Sequence, residues 1–333
     1  MNCKIIFRVD GSLEIGLGHL VRCIALAHML KESFDIIFVC RLIPEKIINE
    51  LSNNRFQLKI IDNENNFFDL LKPDFIIVLD GYDFDSTYQS RIIALSCKLV
   101  CIDDLHDKEF LADLIINHTP GTTTNDYKVQ QYTQFALGPD YALLRPSFLT
   151  QIKKNRKTNN LKTVLICFGG SDYKNLTEDA LKIVLCFSCI ESIIVVTGSA
   201  HRCTANLKKL LLSDSRVRNY RDLDGEQMCS LMVETDLAIV PSSGILYEAI
   251  CCGCALLTCF YVNNQRQFHD FFVKELGVNS FGDNRKIFQE ANFYCQLKYL
   301  LSNYKFDNRI INTREKISSS KENIQHSFHM LSK

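Results

Sequence analysis

The feature that most constrains this chain is a repeated alternation between short apolar runs of strand length and longer segments whose apolar residues recur at helical spacing. Runs at Lys4–Val9, Asp35–Cys40, Gln57–Ile61, Phe75–Leu79 and Lys98–Ile102 are separated by segments such as His19–Lys31 and Pro44–Leu51, which carry the helical pattern. Strands that alternate with helices in this way predict a parallel sheet with helices on both faces. A further short run, Leu114–Asn117, extends that sheet. Thr150–Leu161, reading TQIKKNRKTNNL, is polar, basic and aperiodic, and marks a linker to a second system. There the strand candidates are Lys162–Phe168, Ser192–Thr197, Arg216–Asn219, Leu237–Val240 and Ala255–Phe260. The expected fold is α/β: two doubly wound Rossmann-like domains, 1–150 and 151–333, facing across a cleft at the carboxyl ends of their strands, where such sheets bind ligands. The stretch Arg285–Lys333 is amphipathic and predicts two helices, the last of which is free to pack back on the first domain.

Composition narrows the function. Lys plus Arg and Asp plus Glu number 38 each in 333 residues, so no bulk field draws the chain to nucleic acid or to an anionic membrane. An anionic ligand is therefore held by local geometry. No run of about twenty apolar residues offers a membrane span, and the N-terminus, MNCKIIFRVDGS, does not read as a signal, which predicts a cytoplasmic protein, monomeric or weakly self-associating. The 15 cysteines scatter through runs such as LVCID, VLICF and YEAICCGCALLTCF, and most read as small reduced core residues. The tightest groups, Cys186/Cys189 and Cys251/Cys252/Cys254, lack the second pair or histidine partners of a zinc site, so no metal or cofactor is expected.

Three glycine-containing turns fall where the alternation puts a ligand. In RVDGSLEIGLGHLVR the strand ending at Val9 enters a loop with Gly11, Gly16 and Gly18 before a helix that starts near His19. Glycines admit close approach of a ligand to backbone, and the first-turn amides of the helix favour negative charge. An ordinary strand-to-helix turn is an equal reading on spacing alone. CFGGSDYKN follows the first strand of the second half, so Gly169, Gly170 and Ser171 can present backbone donors while Asn175 or Thr177 starts the next helix. VPSSGILYEAICCG places Ser242, Ser243 and Gly244 in a turn and Glu248 one helical turn further on. A pyrophosphate would sit on that helix N-terminus, with Glu248 accepting from ribose hydroxyls, or Glu248 is simply a surface glutamate.

The segments RVDGSLEIGLGHLVRCIALA, LDGYD, CIDDL, LGPDYALLRPSF, CFGGSDYKNLT and PSSGILYEAICCGCALLTCFYVNNQ, in this order, resemble the hydrolases of the pseudaminic acid pathway, which act on UDP-2,4-diacetamido-2,4,6-trideoxy-β-L-altrose. The resemblance runs nearly to Gln265. It implies a GT-B fold, related to the transferase that adds N-acetylglucosamine to lipid I, with UDP held mainly by the C-terminal domain. It implies that His19 acts as general base on a water that attacks the anomeric carbon, with inversion, C–O cleavage, departure of UDP and no metal. By the same match Tyr82 lines the sugar pocket, Asp10 orients His19 or the water, and Gly169 through Asp172 with Ser243 through Glu248 form the UDP site. Asn264 and Gln265 then lie near the sugar or the phosphates.

This chemistry is self-consistent, since UDP leaves without much acid help. The protein needs a placed base, for which neutral histidine suits neutral pH, and an array of donors for the diphosphate. The other histidines, among them His106, His118, His201 and His269, read as surface or satisfied polar residues, with His269 close behind the NNQ segment. A glycosyltransferase of the same fold would share the UDP loops but need an acceptor surface. A non-catalytic nucleotide-sugar binding protein would keep the loops and have no use for the base, so His19 and Tyr82 favour chemistry.

Overall fold

The structure is a computed structural model and describes residues 3–12, 16–152, 154, 160–172, 174–283, 290–305 and 308–333. The chain forms two compact units, Met1–Arg145 with Ser319–Lys333, and Pro146–Ser318.

The first unit runs β1 (Lys4–Val9), α1 (Gly18–Leu30), β2 (Asp35–Cys40), α2 (Glu45–Asn53), β3 (Gln57–Ile60), α3 (Glu64–Phe68), β4 (Ile76–Asp80), α4 (Ser86–Ala94), β5 (Lys98–Ile102), β6 (Glu109–Phe110), β7 (Leu114–Asn117), β8 (Lys128–Val129) and β9 (Gln134–Leu137). Seven of these strands form one sheet in the order β3-β2-β1-β4-β5-β7-β9, every pair parallel. Central strands are apolar on both faces because helices cover both: β4 reads IIVLD and is buried throughout. Phe7 and Phe38 stack at 4.9 Å between adjacent strands. The order reverses between β1 and β4, which makes their carboxyl ends the switch point where open α/β sheets leave room for a ligand.

The second unit begins with α5 (Pro146–Gln151) and continues β10 (Thr163–Ile166), α6 (Leu176–Val184), β11 (Ser192–Thr197), α7 (Ala205–Ser213), β12 (Val217–Arg221), α8 (Gly225–Glu234), β13 (Leu237–Pro241), α9 (Gly244–Cys251), β14 (Ala255–Phe260), α10 (Arg266–Lys274), β15 (Asn279–Asp283), α11 (Glu290–Asn303) and α12 (Asn308–Ser318). Its six parallel strands are ordered β12-β11-β10-β13-β14-β15, with the switch between β10 and β13. The core is built from alternating strand residues such as Val164, Ile166, Ile193, Val195, Leu237 and Ile239, closed by Phe168, Leu297 and Leu300. The final helix, α13 (Ser320–Leu331), belongs to the first unit. There Gln325 Nε2 donates to the Met29 carbonyl at 2.9 Å and Phe328 meets Phe34 edge-on at 6.2 Å.

Several sequence expectations need correction. The edge strands β9 (QFAL) and β15 (NSFGD) and the two-residue β6 and β8 were not expected: β9 is only four residues long, β15 has one large apolar residue, and two residues show no period. The C-terminal stretch holds three helices, not two; residues 285–289 and 306–307 of it lie outside the described residues. The linker Thr150–Leu161 begins inside α5, Ile152 and Leu161 are buried, and residues 153 and 155–159 are likewise outside the description. Most of the cysteines are buried, as expected, while Cys186, Cys189 and Cys295 are exposed. Among the described residues no helix is long and apolar enough to cross a membrane, and no group of histidine, cysteine and carboxylate side chains is arranged to hold a metal ion.

Candidate active site

At the first switch point the register sets Val9 beside Asp80, so the loop that follows β1 rises next to the last residue of β4. Gly16 takes a positive φ of 89° on the way into α1, a conformation that favours glycine; Leu13, Glu14 and Ile15 of this loop lie outside the described residues. Gly18 is the first residue of α1, so His19 stands in its first turn, 8% exposed. Its Nδ1 is 2.6 Å from Asp80 Oδ1. Burial would raise the Asp80 carboxyl, but Arg22 and His19 outweigh it and hold the group down at about 2. A carboxylate only accepts, so Nδ1 carries a proton, and in the neutral ring the lone pair is then on Nε2. That tautomer is the one a general base requires.

Arg22, three residues along the same helix face, grips Asp80 with both prongs: Nε to Oδ2 and Nη2 to Oδ1, each 2.6 Å. Its Nη1 donates to Asp104 Oδ2 at 3.0 Å. Burial disfavours the guanidinium, yet Asp80 and Asp104 keep it charged well above the ordinary range. The Cys23 thiol lies 3.4 Å from Asp80 Oδ2 and is pushed far up by burial, which leaves it a weak donor. Tyr82 meets the His19 ring edge-on, centroids 4.9 Å apart, while 46% of it stays exposed. His118 proves to belong to this neighbourhood: burial, then the charge of Arg22, lowers it to about 4, and its Nδ1 accepts from the Leu143 amide at 3.2 Å.

Asp10, which the resemblance set on His19 or the water, is bonded instead to neighbouring protein groups. Its carboxylate binds Arg8 at 2.8 Å and accepts from the amides of Arg41 and Leu42 at 2.6 and 3.0 Å, tying the loop after β1 to the loop after β2. Asp80 is the carboxylate on His19. Neither Asp80 nor Arg22 was singled out from sequence, although each carried a signal: an aspartate closing a fully apolar strand, and an arginine at i+3 from the histidine.

In the second unit the two remaining turns follow β10 and β13, the strands that flank the switch. Gly169 has φ 82°, and Gly170 is exposed. Gly198, at the end of β11, approaches Gly170 so closely that a Cβ there would sit 2.4 Å from the Gly170 carbonyl oxygen. Asp172, expected to touch UDP, is 3% exposed and spends its carboxylate on the amides of Leu176 and Thr177, both at 2.9 Å. It caps α6 in place of Asn175, whose side chain makes no cap bond. Burial raises the Asp172 carboxyl, and His201 Nε2 lies 3.8 Å away. Tyr173 lies outside the described residues.

Ser242 is also corrected: it is fully buried, its amide donates to the Cys259 carbonyl at 2.8 Å and its hydroxyl shares a 2.9 Å bond with Thr258, so it holds β13 to β14. Ser243 and Gly244 start α9 and are half-buried, with no side-chain cap at Ser243. Glu248 is 8% exposed, which excludes the surface-glutamate reading. Asn264 and Gln265 lie in the one-turn helix Asn263–Gln265, where Gln265 Oε1 accepts from the Tyr261 amide at 3.2 Å. The Tyr261 hydroxyl donates to the Phe168 carbonyl at 3.0 Å, which links this turn to the Gly169–Gly170 loop. His269 is a packing residue on Phe260, with Nε2 2.6 Å from Ser280 Oγ.

The architecture defines a class before it suggests a particular relative. The fold is GT-B, as in Arabidopsis thaliana UGT89C1 complexed with UDP (TM-score 0.69, 13% identity, 99% of this chain and 100% of that one) and Acinetobacter baumannii MurG (TM-score 0.60, 12% identity, 99% of each chain). In sequence the chain is similar to the UDP-2,4-diacetamido-2,4,6-trideoxy-beta-L-altropyranose hydrolase of Campylobacter jejuni, 27% identical over 82% of this chain and 97% of that protein. It is 26% identical to the spore coat polysaccharide biosynthesis protein SpsG of Bacillus subtilis, over 89% of this chain and 88% of the relative. It is also 29% identical, over 82% of its length, to an uncharacterized protein of Methanocaldococcus jannaschii, of which it spans 59%. No family model matches the chain.

Proposed function

We propose that this protein hydrolyses a UDP-sugar, most specifically UDP-2,4-diacetamido-2,4,6-trideoxy-β-L-altrose, to UDP and the free sugar. The observation that carries the reading is the His19–Asp80 pair: an ionised carboxylate 2.6 Å from Nδ1 leaves Nε2 as a base at the switch point of the first sheet. His19 Nε2 takes a proton from water, the resulting hydroxide-like oxygen attacks the anomeric carbon, and the bond from that carbon to the diphosphate oxygen breaks with inversion. The electron pair leaves with UDP. Imidazolium formed in this step is stabilised by Asp80, which holds the ring in place throughout. Tyr82, edge-on to His19 and half exposed, bounds the sugar. Backbone donors of the Gly169–Gly170 loop and of the Ser243–Gly244 turn take the diphosphate, and Glu248 takes ribose hydroxyls. With Asp172 occupying the first amides of α6, the α9 terminus is the better anion seat of the two.

The test is turnover of this UDP-sugar in oxygen-18 water, with His19→Ala in parallel and products read by mass spectrometry. Label in the sugar, lost in the variant, is the expected result. Label in UDP means attack at phosphorus and refutes the mechanism. Tight UDP binding without turnover favours a transferase of the same fold.

A further inference from the structure

The most heavily bonded charged side chain beside His19 has no part in the reaction just described. Arg22 is a half-buried guanidinium, its side chain 14% exposed, with Nε and Nη2 on the two oxygens of Asp80 at 2.6 Å, Nη1 on Asp104 at 3.0 Å and Nη2 3.1 Å from His19 Nδ1. That last contact is informative. With Nδ1 donating to Asp80, neither nitrogen accepts from the other, so it adds no bond and brings a cation against the ring.

A buried carboxylate beside a histidine has two effects that conflict in a general base. It fixes the useful tautomer, and it also favours imidazolium, which by the usual size of such charge effects raises the titration point by about one to three units. A ring already protonated at working pH cannot take a proton from water. Here the carboxylate is shared with a guanidinium that neutralises it from the far side. We propose that Arg22 is a positioning residue that separates these two effects: its fork holds Asp80 in the orientation that pins His19 Nδ1–H, and its charge, set against the ring, opposes the pull of the carboxylate. The proposal rests on the reading of His19 as base.

Among the described residues, Asp80 from β4, Arg22 from α1 and Tyr82 from the loop after β4 meet His19 directly, while Cys23 from α1, Asp104 from the segment after β5 and His118 from the segment after β7 surround the Asp80–Arg22 pair. Of these, Asp104 works against Arg22, because it draws on the same guanidinium. The arrangement therefore predicts opposite signs. Removing the Arg22 charge raises the titration point of His19, and removing the Asp104 charge, which leaves Arg22 fully opposed to the ring, lowers it.

The experiment is an NMR titration of the His19 imidazole in the full-length protein labelled at histidine, assigned with His19→Gln, for wild type, Arg22→Met, Arg22→Lys and Asp104→Asn. Arg22→Met is expected to raise the His19 value by about one to three units and to move the acid limb of the kcat/KM profile with it. Arg22→Lys keeps the charge but cannot span both Asp80 oxygens, so its titration stays nearer wild type while kcat falls. Asp104→Asn shifts the value down. A folded Arg22→Met protein whose His19 titrates as in wild type overturns the proposal. If Arg22→Met does not fold, an Asp104→Asn value that is unchanged or raised overturns it equally. The titrations need no substrate, so the expected shifts in a protein that releases no UDP would sustain the electrostatic role of Arg22 and refute the hydrolase reading instead.

Discussion

Asp80→Asn replaces one oxygen of the site by a nitrogen and leaves its volume nearly the same. The carboxylate now accepts from His19 Nδ1, Arg22 Nε and Arg22 Nη2, all at 2.6 Å. An asparagine offers one acceptor and two donors, so only one side of the site can be satisfied. If its oxygen stays on Arg22, its amide faces Nδ1, and the ring is driven to the tautomer with the proton on Nε2. That form cannot take a proton from water. Loss of a tautomer lock of this kind costs on the order of 10²–10⁴ in rate, or about 3–5 kcal/mol of barrier. Folding also suffers, because Arg22 loses half of a buried ion pair, a loss of roughly 3–5 kcal/mol that the retained hydrogen bond and the Asp104 contact reduce. The assay is kcat and KM with the UDP-sugar, alongside a urea melt that establishes the folded fraction. The expected outcome is a fall in kcat of at least about 10²-fold with KM little changed. A folded Asp80→Asn enzyme with wild-type kcat would refute the argument that Asp80 fixes the base.

Other predictions follow from the same geometry. Asp172→Ala removes two bonds from the first turn of α6 and is expected to lower stability by about 1–2 kcal/mol, read by denaturant midpoint. Gly198→Ala forces the Gly170 loop aside; a loss of about 1–3 kcal/mol and weaker UDP binding by calorimetry are expected, and unaltered UDP affinity would remove that loop from the diphosphate site. Asp10→Ala should destabilise by about 1–3 kcal/mol through the freed amides of Arg41 and Leu42 and the lost Arg8 ion pair, read by denaturant midpoint. In acid, burial and Lys31 lower His28 to about 4, as burial and Arg22 do His118. The unfolded chain takes up these protons below about 6.5 and the folded chain only near 4, so stability is full above that upper value and falls as pH drops through this window. Asp80 extends the loss from its ordinary range down towards 2. Urea midpoints at pH 7 and pH 5, with His118→Gln as control, check the slope.

The architecture was legible in the sequence because parallel strands under two helical layers must be apolar nearly end to end, and a chain that writes such runs between helical segments has few other ways to bury them. The runs IIFRV, DIIFVC, IIVLD, IIVVT and ALLTCF each became a strand within a residue or two of its expected ends. Of the four edge strands QLKI and VRNYR were legible, while QFAL, only four residues long, and NSFGD, with one large apolar residue, were not. Of the candidate site, the sequence offered the loops, since glycine at Gly16 and Gly169 reports backbone that other residues would strain, whereas Gly198, where a side chain would obstruct the Gly170 loop, carried no such signal. Which polar side chains serve those loops was decided by tertiary structure alone. Asp10 and Asp80 both close apolar strands, and only the register that sets β4 beside β1, with the order of the sheet, assigns one to Arg8 and backbone amides and the other to His19. Likewise Asp172 reads as a ligand in a glycine turn until α6 is seen to start on its carboxylate, and Ser242 until Thr258 of the neighbouring strand is seen to claim its hydroxyl. Strand patterns are local and survive in one dimension; hydrogen-bond partners 16 to 61 residues apart are chosen by packing, and packing exists only once the chain has folded.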